Sequence, residues 1–117
     1  MEKSKTVAEL SFEFALSIIS LYKKLLKSHE YVLSKQLIRA ATSIGANIEE
    51  ASAGASRKDF INKMAIASKE ARETRYWLRL LEKSELVETE FSVYLAKIEV
   101  IIKILTKIVK TSQLNNN

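Results

Sequence analysis

The chain has no proline and only two glycines, Gly45 and Gly54, among its 117 residues. Proline ends or kinks helices, and glycine supplies the backbone freedom that tight hairpin turns need. A sequence that nearly lacks both residue types therefore favours long helices joined by short loops. At this length we expect one hydrophobic core, and so a single domain that spans residues 1–117.

Apolar residues recur at steps of three and four, which places them on one face of each of several helices. The pattern predicts helices over about residues 5–28, 31–53, 57–83 and 89–112. Because the joining segments are short, helices that are neighbours in sequence should run antiparallel. The predicted fold class is all-α, an antiparallel up-down-up-down four-helix bundle. The predicted core comprises Val7, Leu10, Phe14, Ile18, Leu21, Leu25, Leu33, Leu37, Ala41, Ile44, Ile48, Ala51, Phe60, Met64, Ala67, Ala71, Thr74, Leu78, Leu81, Phe91, Leu95, Ile98, Ile102, Leu105 and Val109.

Local signals mark the ends of the predicted helices. Gly54 stands where a left-handed cap would end the second helix. The next segment reads Ser-x-x-Asp from Ser56 to Asp59, an approximate capping box that predicts a third helix beginning near Arg57. Residues 113–117 share no apolar pattern with the helices, so we expect this C-terminal tail to fray.

Residues that support catalysis are scarce in this sequence. There is no cysteine, which excludes disulfides, thiolate metal sites and cysteine nucleophiles. His29 is the only histidine, and neither a Glu-x-x-His pair nor a glycine-rich phosphate loop occurs. We therefore predict a non-enzymatic protein without metal or cofactor. A charged N-terminal stretch and the lysines that interrupt residues 100–109 predict a cytoplasmic protein without a membrane partner.

The helices carry more apolar side chains than one bundle core needs. Several lie well over about 90° away from the core stripe of their helix on a wheel of 100° per residue. A homo-oligomer would cover them, whereas four broad helices around a wide core would bury them within one chain. We favour the oligomer. Its predicted interface residues are Phe12, Ile19, Leu26, Trp77, Val93 and Val100.

Basic residues gather on one flank of the third predicted helix of this chain, whose net charge is +5. Arg72, Arg75, Arg79 and Lys83 share the flank, with Lys69 behind them, while Asp59, Glu70 and Glu73 lie on the other flank. Guanidinium groups about one turn apart can each meet a phosphate, which predicts a nucleic-acid-binding surface. The alternatives are a solvated face and ion pairs across an oligomer interface.

Two further features lie near this flank. Tyr76 is close enough to it to stack on a base. A second basic row, Lys103, Lys107 and Lys110, occupies the end of the fourth helix. Lysines are favoured near a helix C-terminus by the macrodipole, so we interpret this row as solvated charge in preference to a ligand-binding surface.

Two polar residues of the second helix also stand out. Asn47 borders the core stripe, and Glu50 follows three residues later. Such an asparagine is more often a hydrogen-bonded core residue that fixes the register of the helices than a ligand contact. We therefore assign Asn47 and Glu50 a structural role.

Three segments carry a resemblance to a known family. They are Gln36–Ala51, which contains the stretch Ser-Ile-Gly-Ala-Asn-Ile-Glu-Glu, together with Ser56–Phe60 and Lys69–Leu78. The sequence resembles the bacterial four helix bundle protein family, whose founding members are encoded in intervening sequences of the 23S rRNA gene and carry an S23 ribosomal protein label. The likeness runs from about Phe12 to Lys110. Asn47 and Glu50 match the Asn-x-x-Glu signature of the family, to which no catalytic role is attached.

The resemblance implies an antiparallel bundle that assembles into a ring of five subunits. It also implies a relation to the accessory protein of diversity-generating retroelements, which binds nucleic acid and a reverse transcriptase through a basic surface. We therefore expect a homo-oligomeric accessory protein, most simply a pentamer, that binds RNA or DNA and has a reverse transcriptase or another protein as a further partner. The alternative is a protein–protein interaction scaffold that binds no nucleic acid.

Overall fold

The fold was described from a computed structural model that covers residues 4–54 and 56–115. Four α-helices account for most of these residues: α1 (Val7–Lys27), α2 (Leu33–Ser52), α3 (Arg57–Ser84) and α4 (Ser92–Asn115). The described ranges contain no β-strand. The predicted all-α fold class is therefore confirmed.

The helices pack around a square. Each helix contacts its neighbours in sequence, α1 closes the square against α4, and the diagonal pairs do not meet within the described ranges. Two ion pairs give the direction of α2 against α3. Arg39, near the start of α2, meets Glu73 far along α3, and Glu50, near the end of α2, meets Lys63 near the start of α3. The two helices therefore run antiparallel, as an up-down-up-down bundle requires.

The core is built from the apolar stripes that the spacing predicts. Ile18, Leu37, Leu78 and Leu105 illustrate the four helices, since each is fully buried. A buried side chain of this size contributes roughly 1.5–3 kcal/mol to folding. The polar member of the predicted core, Thr74, is also fully buried, and its hydroxyl donates to the Glu70 carbonyl at 2.8 Å. Six predicted core residues are only partly buried: Val7, Leu10, Leu33, Phe60, Leu95 and Val109.

Side-chain hydroxyl caps mark the starts of α1 and α3. At α1 the Thr6 hydroxyl accepts from the Glu9 N–H at 3.1 Å, and the Glu9 carboxylate accepts from the Thr6 N–H, which completes a capping box. At α3 the Ser56 hydroxyl accepts from the Asp59 N–H at 3.1 Å. The predicted start of α3 is confirmed. Such caps contribute about 1 kcal/mol each, because they satisfy N–H groups that have no partner inside the helix.

The turn between α1 and α2 uses a left-handed residue followed by a buried carboxylate. His29 has φ of 63°, and the N–H groups of His29 and Glu30 donate to the carbonyls of Leu26 and Leu25 at 3.0 Å each. This is the hydrogen-bond pattern of a Schellman cap. The Glu30 carboxylate then accepts from the N–H groups of three successive residues at the start of α2, at 3.2, 2.8 and 2.7 Å. Those residues are Val32, Leu33 and Ser34.

Two predicted helix ends are wrong. Gly54 is not left-handed; α2 ends through Ala53 in a right-handed conformation, and the left-handed positions are His29 and Glu85. The fourth helix continues to Asn115, three residues beyond its predicted end at residue 112, and fraying of the tail stays a prediction. The last two residues lie outside the described ranges. The start of α3 is as predicted, and the other helix boundaries differ from the prediction by one to three residues, a shift typical of helix ends.

Candidate nucleic-acid interface

A row of exposed basic side chains runs along one flank of α3. Lys69, Arg72, Arg79 and Lys83 are all exposed. Their spacing of three, seven and four residues keeps them on one side of a helix, and α3 is continuous from Arg57 to Ser84. At 1.5 Å per residue the row from Lys69 to Lys83 is about 21 Å long. We call these four residues the basic row.

One end of the basic row faces α4 across a groove of about 360 Å³. Lys69 and Arg72 line it from α3, and Thr106 and Lys110 line it from α4. The Arg72 guanidinium donates to the Thr106 hydroxyl at 3.4 Å. No carboxylate of the described residues lines the groove, so three cations face it without a compensating charge. We call Lys69, Arg72 and Lys110 the basic groove.

The position of Lys110 was not anticipated. The sequence predicts that the row of Lys103, Lys107 and Lys110 is solvated charge at a helix end. Lys110 nevertheless lies in the same groove as Arg72. The spacing within α4 contains no signal for this contact, because the rotation of α4 against α3 decides which of its faces meets the basic row. Lys110 of the lysine row and Lys69 and Arg72 of α3 therefore form one surface.

Lys83 lies 3.9 Å from the Glu82 carboxylate of its own helix, and Arg75 is the other predicted basic residue with a carboxylate partner. Its guanidinium pairs with the Glu99 carboxylate of α4 at 2.7 Å, and its side chain is about one third exposed. The pair ties α3 to α4 and neutralises the charge of Arg75. Arg75 therefore joins two helices of the bundle and does not belong to the uncompensated surface.

The opposite flank of α3 meets a countercharge from α2. Arg39 of α2 forms ion pairs with both Glu70 and Glu73. The pKa of Arg39 lies above its ordinary value, chiefly because Glu73 accepts a hydrogen bond from it. Near the start of α3, Lys63 pairs with Glu50 at 2.6 Å. Glu70 and Glu73 of the acidic flank thus share one countercharge inside the bundle.

Tyr76 is an exposed aromatic ring within the basic row. It follows Arg72 by four residues and precedes Arg79 by three, and it is 54% exposed. Its ring meets the indole of Trp77 edge to face, with centroids 5.3 Å apart and an interplanar angle of 70°. The sequence-based placement of Tyr76 beside the arginines agrees with this position.

The apolar side chains outside the core differ in exposure. On α1, Phe12 is 65% exposed and Leu16 and Ile19 are also exposed, whereas Leu26 is half-buried. Leu16 was not among the predicted interface residues, although it lies four residues after Phe12 and three before Ile19, which is the spacing of one helical face. We call Phe12, Leu16 and Ile19 the α1 apolar stripe.

Three further predicted interface residues lie on the other helices. Val93 and Val100 of α4 are exposed. Trp77 of α3 is half-buried and packs partly against the core of its own bundle. The wide-core alternative does not account for Val93 and Val100, nor for the α1 apolar stripe, since these side chains face outward. The involvement of all six residues in an interface stays a prediction.

Asn47 and Glu50 make local contacts. The Asn47 amide donates to the Ser43 carbonyl of its own helix at 2.8 Å, and Glu50 pairs with Lys63 of α3. The hydrogen bond of Asn47 does not join two helices, so it cannot fix their register. Glu50 does connect α2 to α3, through a surface pair that typically contributes under about 1 kcal/mol.

The described ranges hold no group of three or more histidine, cysteine, aspartate or glutamate side chains arranged to bind a metal ion. The Nδ1 atom of His29 is 2.9 Å from the Tyr31 hydroxyl, which places the histidine in a local hydrogen bond at the α1–α2 turn. Among the helices of the described residues, none combines the length and apolar character that crossing a membrane requires.

Comparison with known proteins identifies the family of the chain. Residues 3–107 match the family model described as 23S rRNA-intervening sequence protein. A crystal structure of a protein of unknown function from the S23 ribosomal protein family of Bacteroides thetaiotaomicron is similar, with a TM-score of 0.86 and 48% sequence identity over 90% of this chain and 99% of that one. No curated protein matches. The chain belongs to the 23S rRNA-intervening sequence protein family.

Proposed function

We propose that this protein is a non-enzymatic, homo-oligomeric accessory protein that binds nucleic acid through the basic groove. The observation that supports the proposal is the convergence of Lys69, Arg72 and Lys110 without a carboxylate in the groove. Like charges that repel one another cost stability, and a bound polyanion offsets that cost.

Phosphate contacts are the chemistry that the basic groove offers. Arginine provides a planar fork of donors for two phosphate oxygens, and lysine provides a mobile point charge. Each neutralised phosphate releases counterions, so the affinity should fall steeply with salt. The residues that line the groove form no pocket that distinguishes one base from another. We therefore expect the affinity to depend more on the charge of the nucleic acid than on its sequence.

The test is fluorescence anisotropy with labelled RNA and DNA of mixed sequence, at several salt concentrations. We expect the triple variant Lys69→Ala, Arg72→Ala, Lys110→Ala to lose most of the affinity. The slope of log K against log salt should also flatten by about two to three, because about 0.7–0.9 is lost per phosphate contact. Far-ultraviolet circular dichroism checks that the variant is still helical.

A matched control changes the same number of charges elsewhere. Lys23, Lys24 and Lys27 are exposed on α1, and their triple alanine variant lowers the net charge of the protein by the same amount. This control should keep most of the affinity. Absence of binding in the unmodified protein, or an equal loss in both triple variants, refutes the basic groove as the nucleic-acid site.

The homo-oligomeric part of the proposal is supported by the apolar side chains that face outward. A contiguous apolar surface on a soluble protein typically marks an interaction site, and the α1 apolar stripe is the clearest example in this chain. We expect Phe12→Glu with Ile19→Glu to lower the mass measured by light scattering to that of a monomer. A monomer mass for the unmodified protein at micromolar concentration contradicts the oligomer, whose expected size is five subunits.

A scaffold that binds another protein is the second candidate, and the α1 apolar stripe is the observation that favours it. In that case affinity capture should recover a protein that nuclease treatment does not release. The Phe12→Glu, Ile19→Glu variant should lose the partner, whereas the basic-groove variant should keep it. The reverse pattern supports nucleic-acid binding as the primary function.

A further inference from the structure

We infer that the basic row binds single-stranded nucleic acid, with one unpaired base stacked on Tyr76. The inference rests on the proposed function and adds the class of ligand. Two observations support it: one exposed aromatic ring lies between the cations of α3, and α3 is one continuous helix beneath the row.

Tyr76 lies where a base would reach it. Arg72 precedes it by one helical turn and Arg79 follows by one turn, so a strand whose phosphates contact both arginines passes over the tyrosine ring. The ring is 54% exposed. Hydration of an exposed aromatic face brings no favourable interaction. Stacking of a base on that face is favourable, and it does not depend on which base stacks.

The contact with Trp77 prepares the ring for stacking. Since the two rings meet edge to face, the indole covers at most one face of Tyr76 and leaves the other available. The half-buried indole also restricts the motion of the tyrosine side chain. A ring that is already restrained loses less conformational entropy when a ligand binds.

A duplex does not use this arrangement. Its bases are paired and stacked inside the helix, so a tyrosine on a flat protein surface would meet only sugar and phosphate. The basic row is a single file of about 21 Å along one continuous helix, which suits one strand lying along it. Lys110 widens the positive surface only at the Lys69 and Arg72 end.

The experiment compares single strands and duplexes of about 15 nucleotides, a length in the range of known single-strand sites, by anisotropy at one salt concentration. We expect the single strand to bind about ten-fold or more tightly than the duplex. Tyr76→Leu should weaken single-strand binding roughly ten-fold and leave duplex binding nearly unchanged, while Tyr76→Phe keeps the preference because it keeps the ring.

Tyr31 provides the matched control, since it is 56% exposed, lies in the α1–α2 turn and is absent from the basic row. Tyr31→Leu should leave both affinities unchanged. The single tryptophan, Trp77, adds a second readout: its fluorescence should change when a single strand binds, and this change should shrink in Tyr76→Leu. Thermal melting of each variant checks that it is folded.

Two failures can be told apart. If single strand and duplex bind equally, and Tyr76→Leu binds like the unmodified protein while the basic-groove variant weakens both, the stacking inference is overturned and the proposed function stands. If neither ligand binds the unmodified protein, both are overturned.

Discussion

The two flanks of α3 carry opposite charges, and they differ in the charge that each one meets on its neighbouring helix. On the α2 side, Glu70 and Glu73 share Arg39 as a countercharge, so the charge of that flank is partly compensated within the bundle. On the α4 side, Lys69 and Arg72 face Lys110, so positive charge meets more positive charge. Folding supplies a countercharge to the acidic flank. The basic flank receives none in the groove, so its positive charge is available to an external partner.

The difference shows why segregated charge on a helix does not by itself indicate a binding site. Both flanks are segregated in the sequence, and either could have been a solvated face. The partner helix decides the outcome, because it either supplies a countercharge or withholds it. Arg75 makes the same point within the basic flank, since Glu99 of α4 neutralises it, whereas Lys69 and Arg72 face a groove that no carboxylate of the described residues lines.

The largest expected effect comes from reversing charge in the basic groove. We expect Arg72→Glu with Lys110→Glu to weaken nucleic-acid binding by about 100-fold or more at low salt, because phosphate contacts become repulsions. The free energy of unfolding should change by only about 0.5 kcal/mol, since both side chains are exposed. Anisotropy and urea denaturation measure the two quantities. Binding that survives the reversal would remove the distinction between the flanks.

On the compensated flank the expected effect is on stability. Arg39→Ala removes both ion pairs and leaves Glu70, whose side chain is only 16% exposed, beside Glu73 without a countercharge. The free energy of unfolding should fall by about 1 kcal/mol, as urea denaturation would show. Lys35→Ala on the same helix is the control and should have little effect. A loss of nucleic-acid affinity in Arg39→Ala at unchanged stability would contradict this assignment.

Glu99 offers a way to sharpen the comparison. Glu99→Gln should release Arg75 to join the basic flank, so nucleic-acid binding should tighten a few-fold and the salt slope should steepen by about 0.7–0.9. The half-exposed ion pair contributes under about 1 kcal/mol, so we expect little loss of stability. Glu49→Gln raises the net charge equally on α2. If it tightens binding as much, net charge explains the gain and Arg75 does not.

The smallest expected effect tests whether stability and binding can be changed separately. Glu85 follows the end of α3 at φ of 56°, a conformation that glycine adopts without steric cost. Glu85→Gly should raise the free energy of unfolding by about 0.5 kcal/mol, after the extra freedom of glycine in the unfolded chain is counted. Differential scanning calorimetry measures the gain.

A control for this change is Glu88→Gly, which removes the same charge from the same loop at a position that is not left-handed. It should bring no gain in stability. Nucleic-acid affinity should stay the same in both variants. An equal rise in melting temperature for the two would point to charge as the cause and away from backbone conformation.

Periodicity predicted what repeats along a helix. The buried positions of each helix follow from the 3.6-residue period, and so does the alignment of Lys69, Arg72, Arg79 and Lys83 on one flank. Contacts between helices could not be predicted in this way. Which face of α4 meets α3 depends on the rotation and axial offset of two packed helices, and Lys110 shows the consequence.

The helix ends illustrate two kinds of sequence information. Some ends are marked by a capping pattern, whereas at others a residue preference fits more than one conformation. Thr6 and Glu9 form a Ser/Thr-x-x-Glu pattern that was present in the sequence and marks the start of α1. The preference of glycine for the left-handed conformation predicts a left-handed cap at Gly54. Glycine also fits a helix end with right-handed backbone, as at the end of α2. Glu30 could not be recognised because its carboxylate caps α2 from two residues before the usual capping position.

The Glu30 turn has a consequence for the order of folding. Every hydrogen bond that defines it joins residues between Leu25 and Ser34, so the turn can form before α3 and α4 are in place. Contacts that are this local form fast because little chain must be ordered to make them. We therefore expect the α1–α2 hairpin to be an early folding nucleus. Stopped-flow refolding of Glu30→Ala should show slower folding with little change in the unfolding rate, and the opposite result would place this turn late on the pathway.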